Sequence, residues 1–154
     1  MTESPHEEFL RWYEPFHERF VRYCSSRAFG IMEAEDLVQE AVLHSLQAFY
    51  RIEDKQKLPG YLIGVVNNLV KQALRRQKFV GEWEEKALSK LESRTGDPET
   101  ALDVHYLLKA IQQLSAEQRE ALILFEISGF SIREISEIQS CSEGAVKTRL
   151  SRSR

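Results

Sequence analysis

The C-terminal stretch GFSIREISEIQSCSEGAVKTRLSRSR, residues 129–154, restricts the fold of this chain more than any other. Ser131 and Glu134 have the spacing of a capping box, in which each side chain satisfies a backbone donor at a helix start. Isoleucines then recur every third residue until Gln139, which predicts a short amphipathic helix. Ser142 is placed to cap a second helix after a short turn. This pattern predicts a tightly joined helix pair.

The second helix of this pair is predicted to have one apolar and one cationic face. Val146 and Leu150 share the face directed towards a core. The predicted outward residues are Gly144, Lys147, Thr148, Ser151 and Arg152, with Arg149 and Arg154 on the flanks. Such a helix fits the DNA major groove in a helix-turn-helix. A solvated basic helix in an all-α protein explains the same pattern, and a short motif does not separate the two.

Charge is distributed unevenly along the chain. The formal net charge of -3 argues against nonspecific nucleic-acid binding by the molecule as a whole. However, cations cluster in residues 71–78 and 147–154, whereas acids gather in residues 33–40 and 82–103. This segregation predicts two basic surfaces for nucleic acid and an acidic surface for a protein partner.

Composition narrows the class of protein. A hydrophobic content of 42% and a charged content of 29% are those of a globular protein. No apolar run approaches the roughly 20 residues of a membrane span, and residues 1–8 lack a signal peptide. We therefore expect a cytoplasmic protein without membrane insertion. Cys24 and Cys141 are expected to be free thiols, and no catalytic residues, cofactor or metal site are predicted.

The sequence before residue 51 predicts two helices, the first of which is kinked or divided. Ser4 and Glu7 form another capping-box pattern, and Pro15 should kink or divide the aromatic-striped helix that follows to Arg27. The second helix spans about residues 33–50. Its outward face is predicted to carry carboxylates and amides around one apolar side chain: Asp36, Gln39, Glu40, Leu43 and Gln47. An apolar anchor within a polar rim is typical of a protein-binding face.

A third helix is predicted to begin at Pro59, after a polar loop over residues 51–58. Its predicted inward residues are Leu62, Val65, Val66, Leu69, Ala73 and Leu74. Its outward stripe carries Gly64, Asn68, Lys71, Arg75 and Lys78, and Arg76 belongs to the same basic cluster. A stripe of amide and cations fits a phosphate backbone or unpaired bases.

Residues 79–96 are acidic and predict a linker between an N-terminal domain, 1–78, and a C-terminal domain, 97–154. Asp97 is predicted to cap a helix whose core residues are Val104, Leu107, Leu108 and Ile111. Ser115 and Gln118 form another capping-box pattern, which predicts a further helix with Ala121, Leu122 and Phe125 inward, ended by Gly129. We therefore expect an all-α protein of two small helical domains, the second containing the helix-turn-helix.

Two separate regions resemble bacterial RNA polymerase sigma factors of the extracytoplasmic-function type, also called group four. The segment AEDLVQEAVLHSLQAF, residues 34–49, is similar to region 2 of that family. The similarity to region 4 rests on residues 114–119, Gly129, Ser131, Glu134, Ile135, Val146, Lys147, Arg149, Leu150 and 152–154. The matches occur in the family's order and together span nearly the whole chain.

The resemblance implies a factor that binds the β and β′ subunits of core RNA polymerase, directs it to promoters, helps to melt them and catalyses no reaction. An anti-sigma factor is a further implied partner. The implied core-binding residues are Asp36, Gln39, Glu40 and Leu43. Those implied for the -10 element are Asn68, Lys71, Arg75 and Arg76. Those implied for the -35 element are Ser142, Gly144, Lys147, Thr148, Arg149 and Arg152.

Several residues depart from the family's pattern. Tyr61 replaces a common tryptophan, residues 72–73 replace a frequent acidic position, and Ser140 stands where the turn usually has glycine. If Ser140 adopts a left-handed conformation, the cost relative to glycine is about 1 kcal/mol. The recognition helix of relatives usually continues beyond the position of Arg154, which leaves open whether the chain is trimmed there.

Two other interpretations explain part of the sequence. An autonomous helix-turn-helix repressor or activator would account for residues 131–154 but not for the acidic helix with Leu43 or the stripe from Asn68 to Lys78. A catalytically silent interaction protein that mimics a sigma domain is the other alternative. Binding to core polymerase distinguishes the sigma interpretation from the first, and initiation at a promoter distinguishes it from the second.

Overall fold

The computed structural model describes residues 4–76 and 96–153, and the regular structure within them is helical. The α-helices are α1 (Pro5–Tyr13), α2 (His17–Ala28), α3 (Ala34–Ala48), α4 (Leu58–Arg76), α5 (Pro98–Gln112), α6 (Ala116–Leu122), α7 (Ile132–Ile138) and α8 (Glu143–Ser153). No strand occurs within the described ranges. The all-α prediction is confirmed. None of the described helices combines the length and apolar character needed to cross a membrane.

Side-chain caps start the helices at the predicted positions. Ser4 Oγ accepts a hydrogen bond from the backbone N–H of Glu7 at 3.2 Å, and the Glu7 carboxylate accepts one from the Ser4 N–H at 3.2 Å. Ser131 and Glu134 exchange the same pair of bonds at 3.1 and 3.0 Å. Ser142 Oγ accepts from the backbone N–H three residues later at 3.1 Å. The capping boxes of α1 and α7 and the cap of α8 are therefore confirmed. At α6 the structure shows one half of the predicted box, in which Ser115 Oγ accepts from the Gln118 N–H at 3.2 Å.

Helix breaks also occur where the sequence predicts them. Pro15 lies in a 3-10 turn, Glu14–Phe16, that separates α1 from α2. Gly129 has a left-handed φ of 93°, and it follows a π-helical turn, Ile123–Ser128, that continues α6. Ser140 has a φ of 53°, so the condition under which we expected a cost of about 1 kcal/mol is met.

A continuous hydrophobic core runs through both parts of the chain. The aromatic stripe of α1 and α2 is buried as predicted: Phe9 stacks on Tyr13 and meets Phe49 edge to face, and Tyr13 meets Phe20 in the same way. The largest contributions in the other elements come from Leu37, Leu58, Leu62, Ile63, Val66, Leu124, Phe130, Ile135 and Val146. This shared core packs α2 against the turn Ile123–Ser128 and α4 against α7. The sequence predicted two joined domains but no contact between them.

Two predicted core positions are wrong. Leu107 in α5 is 57% exposed, whereas Ala101 and His105 are buried. The buried face of α5 runs through Ala101, His105 and Ile111, and Leu107 lies outside it. Leu74, in the last described turn of α4, is 48% exposed. The side chain of Leu108 lies outside the described part of the structure.

Candidate nucleic-acid and polymerase interfaces

The acidic face predicted on α3 is exposed. Asp36, Gln39 and Glu40 are all accessible, and Leu43 is 54% exposed among them. The opposite face of α3 is tightly packed, because Leu37, Ala41 and Ser45 are completely buried. The helix therefore presents an apolar anchor in a rim of carboxylates and an amide, held from behind by the core.

The cationic stripe on α4 is also exposed, and two adjacent asparagines have opposite surroundings. Asn68, Lys71, Arg75 and Arg76 are accessible, whereas Asn67 is half-buried. Lys78, predicted to extend the stripe, lies outside the described residues, as do the predicted linker residues up to 95. The stripe thus combines one amide with three cations in the C-terminal half of α4.

The polar loop before α4 is held by a hydrogen bond within its own turn and by a second one to the residue that follows α3. Asp54 Oδ1 accepts a hydrogen bond from the backbone N–H of Gln56 at 3.0 Å, which starts a 3-10 turn, Lys55–Lys57. Lys55 Nζ donates to the carbonyl oxygen of Phe49 and lies 4.0 Å from the centroid of its ring. Tyr61, one turn into α4, is 38% exposed. The loop therefore forms a hydrogen-bonded turn directly before the start of α4.

The predicted recognition helix α8 has its apolar side chains buried and its cationic front open. Val146 and Leu150 are buried, whereas the predicted contact residues other than Arg149 are exposed: Ser142, Gly144, Lys147, Thr148 and Arg152. The Thr148 hydroxyl donates to the carbonyl oxygen of Gly144 at 3.0 Å. Lys147 and Arg152 are thus the exposed cations on the described front of the helix.

Arg149 differs from the other predicted contacts because its guanidinium has partners inside the chain. Its Nη1 donates to Gln139 Oε1 at 2.8 Å and to Cys141 Sγ at 3.2 Å. Its Nη2 lies 3.4 Å from Glu117 Oε2, and its side chain is 22% exposed. Arg149 therefore ties α8 to the turn and to α6. Its flanking position in the sequence pattern was the signal for this role.

Arg19 and Arg22 of α2 were not singled out from the sequence, and both contact the C-terminal half. Arg19 Nη1 lies 2.6 Å from Glu134 Oε2, and its guanidinium carbon lies 4.6 Å from the ring centroid of Phe130. Arg22 Nε donates to the carbonyl oxygen of Ser128 at 3.2 Å. Burial alone would raise the pKa of Glu134, but hydrogen bonds from Ser131 and Arg19 outweigh it and lower the pKa.

A chain of polar side chains connects the two halves beside these arginines. The Tyr23 hydroxyl donates to Asn67 Oδ1 at 2.6 Å, and Asn67 Nδ2 donates to Glu120 Oε2 at 2.6 Å. Gln139 Nε2 donates to the other Glu120 oxygen at 3.2 Å. Burial and the nearby Glu120 carboxylate raise the pKa of Tyr23, which keeps its hydroxyl protonated as a donor. No local pattern could reveal this network, because its members are far apart in sequence.

A cleft of about 830 Å³ opens between the loop before α4 and α7. Its apolar wall includes Tyr61, Phe130 and Ile138. Its described lining carries four carboxylates and one cation: Glu53, Asp54, Glu134, Glu137 and Lys57. Glu134 is paired with Arg19, whereas Glu53, Asp54 and Glu137 are exposed at the edge of the cleft. The cleft is therefore apolar inside and acidic at its edge.

Neither cysteine is part of a metal-binding arrangement in the described ranges. Cys24 and Cys141 are free thiols, and burial raises the pKa of Cys24 to about 12. No group of three or more histidine, cysteine, aspartate or glutamate residues in these ranges could hold a metal ion.

Both halves of the chain match known sigma factors. Residues 12–80 match Sigma-70 region 2, and residues 105–154 match Sigma-70, region 4. The chain is 34% identical over 138 residues to the ECF RNA polymerase sigma factor EcfG of Rhodopseudomonas palustris, covering 84% of this chain and 75% of that protein. It is 31% identical over 121 residues to the RNA polymerase sigma factor CarQ of Myxococcus xanthus, covering 77% and 69%.

Solved structures share the fold. The sigma factor RpoE of Bartonella quintana, in complex with the anti-sigma factor NepR, is 26% identical, with a TM-score of 0.58 over 97% of this chain and 91% of that one. CnrH, in complex with the cytosolic domain of CnrY, has a TM-score of 0.64 at 19% identity and covers 97% and 84%. An autonomous repressor would not account for the region 2 match. The chain thus belongs to the ECF sigma factors, which direct promoter-specific transcription initiation by RNA polymerase.

Proposed function

We propose that this sigma factor uses three helical faces for three tasks: α3 binds core polymerase, α4 engages the -10 element and α8 engages the -35 element. The observation that carries the proposal is that each face is exposed while the opposite side of the same helix is buried. Each face can therefore bind a partner without disturbing the core. The acidic face lies on one helix and the two cationic faces lie on others, which suits one protein partner and two DNA segments.

On α3, the proposed core-binding residues are Asp36, Gln39, Glu40 and Leu43. The exposed Leu43 supplies apolar area to bury, and the surrounding carboxylates and amide supply orientation. On α4, Asn68 can hydrogen-bond a base edge, and Lys71, Arg75 and Arg76 can neutralise phosphates of an unpaired strand.

On α8, the proposed contacts divide by position. Lys147 and Thr148 lie near the helix start, where groove-docked helices reach base edges, with Ser142 and Gly144 at its N-terminal end. Arg152 lies one turn further along and suits a phosphate contact. For Arg149, whose guanidinium is bonded to Gln139, we propose that it orients the helix within the helix-turn-helix.

Reconstitution with core polymerase tests the proposal. The chain should form a holoenzyme that initiates from a selected promoter, and the triple substitution Asp36→Ala, Gln39→Ala, Glu40→Ala should weaken core binding without lowering the unfolding temperature. Glu18→Ala, at an exposed position of α2, is the control. Undiminished core affinity of the triple variant would remove the α3 assignment. Core binding without initiation would favour a protein that only mimics a sigma domain.

The same proposal implies that the chain catalyses no reaction itself and acts in the cytoplasm, where core polymerase and promoter DNA are present. Its contribution is binding energy and DNA positioning. The β′ and β subunits of the polymerase are the proposed protein contacts, and the polymerase supplies all of the chemistry. RNA synthesis by the chain alone, without core enzyme, would contradict this division of labour.

We also propose an anti-sigma protein as a second partner, as in the Bartonella quintana complex. The observation that favours it is the cleft with an apolar wall and an acidic rim, which complements a basic amphipathic segment. Co-expression with a candidate anti-sigma protein tests this. Glu137→Lys at the rim should weaken the complex, whereas Glu18→Lys should not. Equal affinity of both variants would place the partner elsewhere.

A further inference from the structure

Thr148 is exposed on the front of α8, yet its hydroxyl is already bonded within the helix. The hydroxyl donates to the carbonyl oxygen of Gly144, one turn earlier, at 3.0 Å. Since a hydroxyl has a single hydrogen to donate, Thr148 has none left for a base edge. The side chain still offers a partner its methyl group and the acceptor capacity of its oxygen.

The same bond restricts the methyl group of Thr148. Threonine is branched at Cβ, so the hydroxyl and the methyl group turn together about one stiff torsion. Because the hydroxyl is held against the Gly144 carbonyl, the methyl group is held in one position as well. An apolar group that is already fixed loses little conformational entropy when it meets a partner.

Gly144 leaves the surface beside Thr148 without a side chain. Apart from its chain neighbours and the helix backbone, a Cβ added at Gly144 would meet Ser142 Oγ at 3.8 Å, an ordinary van der Waals contact. Gly144 is also not among the described glycines with a positive φ. Neither packing nor backbone conformation therefore requires glycine at this position. Close approach of a partner to the backbone is the remaining use of a glycine.

Gly144 and Thr148 lie on the same face of α8, one above the other, because residues four apart share a helical face. The threonine side chain is short, so its methyl group reaches a base edge only if the helix lies deep in the groove. The bare backbone at Gly144 permits such a position. In the major groove, the apolar group presented by a base edge is the C5 methyl group of thymine.

We propose that Thr148 reads a thymine of the -35 element through contact between its methyl group and the C5 methyl group of the base, with Gly144 letting the helix come close enough. The contact rests on the proposed docking of α8 on that element. It needs no hydrogen bond from Thr148. Burial of one methyl-sized group corresponds to a preference of about fourfold for thymine over a base that lacks the methyl group.

Uracil substitution tests the inference, because uracil pairs with adenine as thymine does and lacks only the C5 methyl group. The holoenzyme formed by the full chain and core polymerase first selects its preferred promoter. Each thymine of the -35 element, on either strand, is then replaced singly by uracil, and competition binding gives the relative affinities. One replacement should weaken binding about fourfold, and the others should change it little.

The variants Thr148→Ser and Thr148→Val separate the two groups of the side chain. Serine keeps the hydroxyl and loses the methyl group, whereas valine keeps a methyl group and loses the hydroxyl. The Thr148→Ser holoenzyme should bind the thymine and uracil promoters equally, and the thymine promoter about fourfold more weakly than the unmodified holoenzyme does. Thr148→Val should keep the preference for thymine. Thermal unfolding checks that both variants are folded.

Gly144→Ala tests the close approach of the helix. Alanine favours a helix more than glycine does, so the unfolding temperature should not fall. The preference for thymine over uracil should nevertheless disappear, because the added Cβ keeps the helix away from the base edges. A full preference in Gly144→Ala would overturn the role assigned to this glycine.

Three outcomes separate failure of the thymine contact from failure of the proposed function. Loss of the preference in Thr148→Val but not in Thr148→Ser would make the hydroxyl the reading group and overturn the inference. Undiminished binding to every uracil promoter, by a holoenzyme that still selects a -35 sequence, would overturn the thymine contact and leave the proposed function standing. A holoenzyme without any -35 preference would count against the docking of α8, and with it against the thymine contact.

Discussion

The N-terminal and C-terminal halves are stabilised in different ways. The N-terminal half has longer helices and a core of aromatic rings from α1 and α2 that meet mostly edge to face. The helix-turn-helix consists of a 7-residue α7 and an 11-residue α8. It relies on caps and on the bonds of Arg149 as much as on apolar burial. Loss of a polar side chain should therefore lower the free energy of unfolding most in the half whose helices are too short to bury much apolar surface.

The largest effect should come from the aromatic core. Phe20→Ala removes a completely buried ring, and we expect the free energy of unfolding to fall by about 3 to 5 kcal/mol. Urea unfolding followed by circular dichroism measures it. Leu10→Ala, where the side chain is 47% exposed, is the control and should change stability little. A comparable loss for both would mean that the aromatic stripe is not the main support of this half.

The C-terminal half should be most sensitive to Arg149. Arg149→Ala leaves Gln139 and Glu117 without this partner, and we expect a loss of about 1 to 3 kcal/mol. Arg152→Ala, on the exposed front of the same helix, should leave stability nearly unchanged while weakening binding to -35 DNA. Thermal unfolding and DNA titration separate the two effects. If Arg149→Ala weakened DNA binding at full stability, direct contact with DNA would replace its orienting role.

A smaller gain in stability should follow from changing the turn. Ser140 has a φ of 53°, and Ser140→Gly removes the strain of a left-handed serine, so stability should rise by about 1 kcal/mol. The midpoint of urea unfolding measures it. Ser151→Gly, within α8 at an exposed position, should have the opposite sign, because glycine weakens a helix interior. A loss of stability at Ser140→Gly would show that its hydroxyl contributes more than the backbone strain costs.

The smallest effect concerns pH and the contact between the halves. The pKa of Glu134 in the folded chain lies below its ordinary value of 4.5. The carboxylate therefore stabilises the folded form fully above about pH 4.5, and this contribution disappears as the pH falls through the lowered pKa. The difference in unfolding temperature between the unmodified chain and Glu134→Gln should shrink in acid. A difference that persists at low pH would contradict the linkage.

Local signals predicted most of the fold, and long-range contacts limited the prediction. Capping boxes and helix breakers marked α1, α7 and Gly129 correctly because their partners lie within a few residues. Leu107 of α5 was wrongly expected in the core, since the buried face of this helix includes Ala101 and His105, whose small and polar side chains give no strong apolar signal. The Tyr23 to Gln139 network joins side chains far apart in sequence, so periodicity carried no trace of it.

For the site residues, too, the sequence predicted what local periodicity determines and missed what long-range contacts determine. The exposed faces of α3 and α4 and the front of α8 follow from helical periodicity alone, and the structure exposes the residues that were expected to be exposed. Arg149 was placed among the outward-directed or flanking cations because a sequence pattern does not show which partners a long side chain finds. Their roles in binding polymerase and DNA stay predictions that the experiments above address.

The π-helical turn Ile123–Ser128 determines the direction in which the residues after it point relative to α6. The Ser128 hydroxyl donates back to the carbonyl oxygen of Ile123 at 3.0 Å, which closes the wider turn. A π-turn accommodates one residue more than an α-helical turn would. Deleting one residue here would rotate the continuing chain by about 100° and carry the Ser128 carbonyl away from Arg22. The contacts that the later residues make with α2 therefore depend on the length of this turn, and length changes here should be tolerated less than in the loops.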